Sequence, residues 1–475
     1  MSLRPLARGS ALGLATVVVE KGAALVLVVG LARLLGVEDY GRYSFIIAYL
    51  TLFQVLADLG LEPILLRRLS QEPADRSRVL ANALGMRISL AFLSAGLAVV
   101  LVGWAAPDQA GLTPFVAVGA AGLLFVGQPG FRALWRAEAR MGRVLTVATL
   151  TNLALLVLVG IALWAGTGLL GVFLGITAAH LGGFVLAAVL ARSTFRFRVA
   201  FEMDLWRELF SQAWPVGANV FAVMLGLRIG PVLLLSYGGA VEVGYLASSM
   251  RLVEALNLIA EGLMLAVFPV LARLAREDAA ALARLAGICA RIQAFLLLAV
   301  VLFLSQLSPE VLSLLFGPEF AVAAPALRVL SWFALLASLG TLYTNMLVAL
   351  GHQRVLFVLN AVSAVFQVGL QFFLVSRYGL MGAAVGVLLA NAINHGVLCV
   401  LPSTGPWVRP CVRAVLPAVF LALGLSFAGW FLAGPPLPQA VGLVVAFSIL
   451  ALFLYRSGFS DLRELRNALG PAAGS

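Results

Sequence analysis

The sequence is short of charge. Only 11% of its 475 residues are Asp, Glu, Lys or Arg, against 62% hydrophobic, where soluble domains carry about 25% charged residues. A water-soluble fold of this length could not hide so much apolar side chain, so its solvent has to be lipid. A mean hydropathy of +1.05 says the same. Lysine is nearly absent. Lys21 is the only one, and arginine carries the +11 balance. The arginines cluster between apolar runs, which is the bias of membrane-protein loops and excludes nucleic acid as the partner. Cysteine is scarce too: Cys289, Cys399 and Cys411 are scattered without a CxxC pair, which excludes a disulfide framework or a zinc site. No GxxxxGK[ST] loop occurs, so energy comes from an ion gradient or the membrane potential rather than ATP. Neither a cofactor nor a metal is called for. No segment between apolar runs is long enough for a separate soluble domain. The outer ones hold little beyond Glu38, Asp39, Asp108, Glu310 and Glu319. A membrane glycosyltransferase, polymerase or ligase would need acids, bases or metal ligands there. The chain therefore reads as a transporter and not an enzyme.

What is present is one apolar run after another. A bilayer core takes about 20 residues of helix, and runs of that size repeat from near 10–34, through a fourth at 113–135, to a last at 440–455. The expected fold is all-α, a polytopic membrane protein of about fourteen transmembrane helices. The opening Met1–Gly9 is short and basic, with no small-residue cleavage site, and so introduces a span rather than a cleaved signal. Arg67, Arg68, Arg76 and Arg78, then Arg132, Arg136, Arg140 and Arg143, then Arg192, Arg196, Arg198 and Arg207, mark alternate loops. That asymmetry predicts both termini in the cytoplasm of a bacterial inner (plasma) membrane protein. Tryptophans 104, 135 and 164 fall at predicted helix ends, as an interfacial belt requires.

The two halves resemble each other. Asp58 follows Gly41 at the spacing by which Glu261 follows Gly244, and Gly168, Gly171 and Gly175 recur as Gly379, Gly382 and Gly386. The offset drifts only from about 203 to about 211 residues. Each repeat holds six helices, so the halves are parallel. The predicted organisation is an N-terminal lobe (1–191), a cytoplasmic linker (192–210), a C-terminal lobe (211–402), and two further helices with a tail (403–475).

Ionisable groups inside the membrane are costly and point to function. Thr51, Gln54, Asp58 and Glu62 form one polar face at helical spacing, and so do Arg251, Glu254 and Glu261. Two acid–arginine pairs obey the repeat, Asp58 with Arg87 and Glu261 with Arg291. They are either structural bridges between neighbouring helices or gates that break as the lobes open. Lys21, Arg228 and Arg251 break the repeat. An asymmetric substrate needs asymmetric contacts, so these three are substrate-binding candidates, arginine suiting a diphosphate through its planar fork. Glu20 beside Lys21, and Glu254 three residues from Arg251, give the alternative of internal neutralisation. His180 and His395 are intramembrane, as packing residues or proton carriers.

The stretch Arg33-Leu34-Leu35-Gly36-Val37-Glu38-Asp39-Tyr40-Gly41 resembles the loop after the first helix of the Wzx-like polysaccharide flippases. Their superfamily also holds the MATE multidrug exporters and the lipid II flippase. Asp58-Leu59-Gly60-Leu61, Arg251-Leu252-Val253-Glu254 and Leu315-Phe316-Gly317-Pro318 are similar to later parts of the same family. The resemblance implies two MATE-like lobes with a cationic central cavity, Lys21 and Arg251 standing at the family's cationic positions. It implies translocation of undecaprenyl-diphosphate-linked oligosaccharide for O-antigen, capsule or exopolysaccharide. The partners it implies are that lipid-linked sugar, membrane lipid, a proton or sodium ion for coupling, and the polysaccharide polymerase or export machinery. A cation-coupled drug antiporter would share the lobes but would have twelve helices and an acidic cavity.

Overall fold

The structure is a computed structural model that describes residues 3–71, 75–106, 110–126, 129–192 and 199–431. Among them there is no strand. Lipid offers the backbone no hydrogen-bond partners, so a spanning chain satisfies its own as helix. The helices are α1 (Leu3–Asp58), α2 (Leu61–Gln71), α3 (Arg76–Ala105), α4 (Thr113–Gly122), α5 (Pro129–Ala137), α6 (Met141–Trp164), α7 (Gly168–Ala191), α8 (Met203–Glu277), α9 (Ala279–Leu315), α10 (Ala324–Ala349), α11 (Gln353–Val400) and α12 (Gly405–Phe431). Nine stretches of the described residues are long and apolar enough to cross a membrane.

At 56, 75 and 48 residues, α1, α8 and α11 are too long for one crossing of ~30 Å at 1.5 Å per residue. A glycine in a non-helical conformation divides each of them: Gly36, Gly239 and Gly379. Each of the three therefore contributes two segments among the described residues. The expected span at 440–455 lies outside them.

The kinks follow the internal repeat. Gly36 (φ 76°, ψ 175°) and Gly239 (φ 76°, ψ 179°) share one backbone conformation, in a region open essentially to glycine alone. Gly168 and Gly379 are a second matched pair with positive φ. Just past the first two kinks the chain crosses itself reciprocally. A Cβ on Gly41 would fall 1.7 Å from the Ala240 carbonyl oxygen, and one on Gly244 would fall 2.5 Å from that of Val37.

The chain forms two compact units, the first ending at Gly244 and the second starting at Tyr245. The core of the first joins α2 (Leu61, Leu65), α3 (Leu80, Leu84), α5 (Phe131, Trp135), α6 (Val144) and the start of α8 (Leu205, Leu209). That of the second joins α9 (Leu297), α10 (Tyr343, Met346) and α12 (Val408, Cys411). Many apolar side chains point outward instead, as lipid-facing helices require. Trp104 and Trp164 are among them, at 87% and 90% exposed.

Two expectations are corrected here. The fourth apolar run is not one helix: α4 ends at Gly122, turns occupy residues 123–126, and α5 begins at Pro129. Trp135 is not at an interface. It is fully buried, 6.3 Å from the Phe131 ring, because α5 turns its apolar side into the first unit's core.

The segment leading into α8 is clamped to α3. Arg78 donates to both Glu202 oxygens (Nε at 2.9 Å to one, Nη2 at 2.6 Å to the same, Nε at 3.2 Å to the other), Asn82 donates at 3.1 Å, and the Glu202 amide donates back to Asn82 at 2.8 Å. The Ala200 amide donates to the Ala81 carbonyl at 3.2 Å. Those bonds from Arg78 and then Asn82 hold the Glu202 carboxyl below the usual carboxylate range. A depressed carboxyl stabilises above its ordinary value of about 4.3 and stops doing so as pH falls through the lower folded value. The clamp is therefore expected to be fully formed at neutral pH and to open only in strong acid. Glu202→Gln should speed hydrogen exchange at the Ala200 and Glu202 amides at pH 7. Unchanged exchange in that variant would show that the clamp does not depend on the carboxylate.

Candidate functional site

The predicted polar face lines a cavity of about 590 Å³ within the first unit. Thr51, Gln54 and Asp58 come from α1 and Glu62 from α2. The two helices are separated by Leu59 and Gly60, both in the left-handed region (φ 47° and 74°), which lets Glu62 follow Asp58 around the same wall. The break is held by a backbone approach: a Cβ on Gly60 would lie 2.6 Å from the Gly217 nitrogen, and one on Gly217 would lie 2.6 Å from the Leu59 carbonyl. Val216, Val220 and Met224 of α8 line the same side.

Three arginines complete the wall: Arg87 from α3, and Arg132 and Arg136 from α5. Residues four apart share a helix face, so α5 presents both guanidinium groups together while Phe131 and Trp135 enter the core. Each arginine has an acid partner. Arg87 Nε lies 3.5 Å from Asp58 and its Nη2 donates to the Val126 carbonyl. Arg136 is 3.0 Å from Glu62. Arg132 is 3.1 Å from Glu20. Arg87 is buried, whereas the side chains of Arg132 and Arg136 keep 23% and 37% of their exposure. The last two are the ones an anion can reach. Three arginines and their three acid partners therefore stand at this wall, Glu20 reaching Arg132 from beyond the cavity's own lining.

The sequence candidates divide. Asp58 and Arg87 are brought together as predicted from the repeat. Glu261 and Arg291 are not: among the described residues Glu261 is exposed and makes no ion pair. The difference is in the backbone, since α1 breaks right after Asp58 while α8 continues through Glu261. Arg251 and Glu254 pair at 2.9 Å within the second unit. Glu20 turns to Arg132 rather than to its neighbour Lys21, which is exposed on α1. Arg228 is half-buried on α8, in the first unit. None of Lys21, Arg228 and Arg251 lines the large cavity. His395 is buried, its Nδ1 2.8 Å from the Asn391 carbonyl and its ring edge-on to Tyr343 at 5.4 Å, which is a packing arrangement. Asn394 accepts from Ser363 at 2.9 Å and so ties the two halves of α11.

Solved structures share the fold at low sequence identity. The lipid II flippase MurJ in its inward closed conformation matches with a TM-score of 0.73 at 13% identity, covering 94% of this chain and 99% of that one. An inward-facing MATE family multidrug resistance transporter of the MOP superfamily matches at 0.68 and 17%, covering 84% and 96%. A MOP superfamily transporter from Pyrococcus furiosus, described as having a binding pocket of reverse polarity, matches at 0.58 and 16%, covering 85% and 96%. No curated protein matches the chain. A family model described as polysaccharide biosynthesis protein matches residues 6–275. With more than half its length in that match, and the fold of MOP superfamily transporters, the chain belongs to the polysaccharide biosynthesis protein family.

Proposed function

We propose that the protein is a flippase that carries a polyprenyl-diphosphate-linked oligosaccharide across a bacterial inner membrane by alternating access, for O-antigen, capsule or exopolysaccharide assembly. The observation that carries this reading is the pair Arg132 and Arg136 on one face of α5, both partly exposed at the wall of the large cavity. A diphosphate brings negative charge that cannot cross ~30 Å of hydrocarbon unaided. Two guanidinium groups side by side offer it bidentate hydrogen bonds. The acids already paired to them, Glu20 and Glu62, compete with the diphosphate, so the headgroup is held without being trapped.

Lys21, Arg228 and Arg251 serve as further cationic contacts along the path. Glu20, Asp58, Arg87, Glu254, Glu261 and Arg291 are coupling or gating groups, driven by proton or sodium. The family and the shared fold with a lipid II flippase support this reading. In a strain lacking the protein, mass spectrometry is expected to find lipid-linked oligosaccharide accumulating on the cytoplasmic face. Normal export in that strain would rule the flippase role out.

The orientation has its own test. Arginine bias puts positions 76 and 196 inside and positions 108 and 439 outside. In a cysteine-free background, single cysteines at 108 and 439 should react with an impermeant maleimide in intact spheroplasts, and those at 76 and 196 should not. Labelling of position 196 from the periplasm would overturn the proposed topology.

A further inference from the structure

Two interrupted helices of the first unit meet at one buried side chain, that of Arg87. Helix α1 ends at Asp58, and after Leu59 and Gly60, both left-handed, α2 begins and carries Glu62. Helix α4 ends at Gly122, and after the turns at 123–126, α5 begins at Pro129 and carries Arg132 and Arg136. Arg87 Nε lies 3.5 Å from Asp58, the last residue before the first break, and its Nη2 donates to the Val126 carbonyl in the turns of the second. We propose that Arg87 is the positioning residue of the headgroup site: it fixes both breaks, and through them the three charged side chains that follow. The inference rests on the diphosphate reading of the large cavity.

The need for such a residue follows from how α5 is otherwise held. Its apolar side, Phe131 and Trp135, is fully buried in the core. Apolar contact is non-directional. It decides which face turns inward without fixing where the helix sits along its axis. Hydrogen bonds from a charged donor are short and directional. The one from Arg87 ties the chain three residues before α5 begins, at Val126, which lines the large cavity together with Arg132 and Arg136. On the other side, the bond to Asp58 ties the end of α1, four residues before Glu62. Glu62 and Arg136, 3.0 Å apart, thus hang from one guanidinium by two routes. Arg87 is 5% exposed and its charge is met by Asp58, so it acts through Arg132 and Arg136 rather than on a headgroup. The second unit supplies the comparison. Arg291 matches Arg87 in the repeat, but there α8 runs on through Glu261, and the fourth helix of that repeat, α10, is continuous from Ala324 to Ala349. Neither break recurs, so an arginine at that place does not by itself make a site. Interrupted helices are where transporters build their binding sites. Opening of the two Arg87 bonds would dismantle the site, so positioning and gating are one role of this residue.

The test uses the full chain in nanodiscs with undecaprenyl diphosphate as the probe. Asp58→Asn combined with Arg87→Gln removes one charge of each sign, so the net charge of the site is unchanged. That double variant is expected to melt near the wild type yet to bind the probe roughly tenfold more weakly, the worth of about one charge-assisted hydrogen bond. Amide hydrogen exchange at Leu59 and at residues 123–126 should quicken, while that in α6 and α7 stays as it was. Arg87→Lys should show the same loss of affinity, since one ammonium cannot reach Asp58 and Val126 together as the planar fork does. Wild-type affinity in either variant would overturn the positioning role. So would weak binding with unchanged exchange at both breaks, because the lost affinity would then not pass through them. Should the double variant fail to fold, Arg87→Lys decides by the same two measurements. If the wild type does not bind undecaprenyl diphosphate, the reading of the large cavity fails instead, and the exchange measurement alone decides whether Arg87 fixes the breaks.

Discussion

Replacing Arg132 and Arg136 together by alanine is expected to abolish glycan export while the protein still reaches the membrane at its normal level. Each guanidinium that binds a charged oxygen contributes about 1.5–3 kcal/mol. A single loss should therefore slow export roughly 10- to 100-fold, and the double loss should remove it. Arg136→Lys should recover only part, since lysine keeps the charge and loses the planar fork. The competing account is that Arg136 exists to neutralise Glu62, from which it is 3.0 Å. On that account Glu62→Gln combined with Arg136→Ala removes the problem together with the solution, and export returns. Full export in that double variant would refute the headgroup role of Arg136. The measurement is surface glycan per cell in a deletion strain complemented with each variant, normalised to membrane-inserted protein.

The polar stripe Thr51, Gln54, Asp58 and Glu62 was legible in the sequence because it obeys helical spacing, and the structure lines one cavity with all four. The glycine kinks were half legible. The repeat marked Gly41 with Gly244, but the matching φ of Gly36 and Gly239 is a backbone property that composition does not display. Arg132 and Arg136 were misplaced for a physical reason. Counting arginines near the ends of apolar runs assigns them to a loop, and it cannot see that the fourth run breaks before Pro129 and restarts as an amphipathic helix. The signal was there, in Gly127-Gln128-Pro129-Gly130 as a breaker and in the alternation of Phe131 and Trp135 with Arg132 and Arg136. Of the two readings of Glu20, the structure pairs it with Arg132 rather than with Lys21, since adjacent residues on a helix do not face each other. Arg132 comes from a distant helix that only the fold brings near. Glu261 makes no ion pair among the described residues, where α8 runs on through it while α1 ends at Asp58.

Asp58→Asn alone should cost this protein more stability than Arg87→Gln alone, and the double variant should regain most of either loss. Arg87 is 5% exposed, and it joins three places: Asp58 at the end of α1, its own helix α3, and the Val126 carbonyl in the turns after α4. Removing Asp58 strands a guanidinium that cannot give up its proton, because arginine stays charged in proteins. Breaking a buried pair this way costs about 3–5 kcal/mol. Removing Arg87 instead strands a carboxylate beside Glu62, but the Asp58 side chain is 31% exposed and can be hydrated or take up a proton. With both charges gone, what remains unpaid is mainly the Val126 carbonyl, a neutral acceptor whose desolvation costs about 1–3 kcal/mol. Thermal melting of the wild type, the two single variants and the double variant in the same detergent gives the cycle. If the melting losses of the single variants simply add in the double, Asp58 and Arg87 are not coupled, and the cavity's shape does not depend on their pairing.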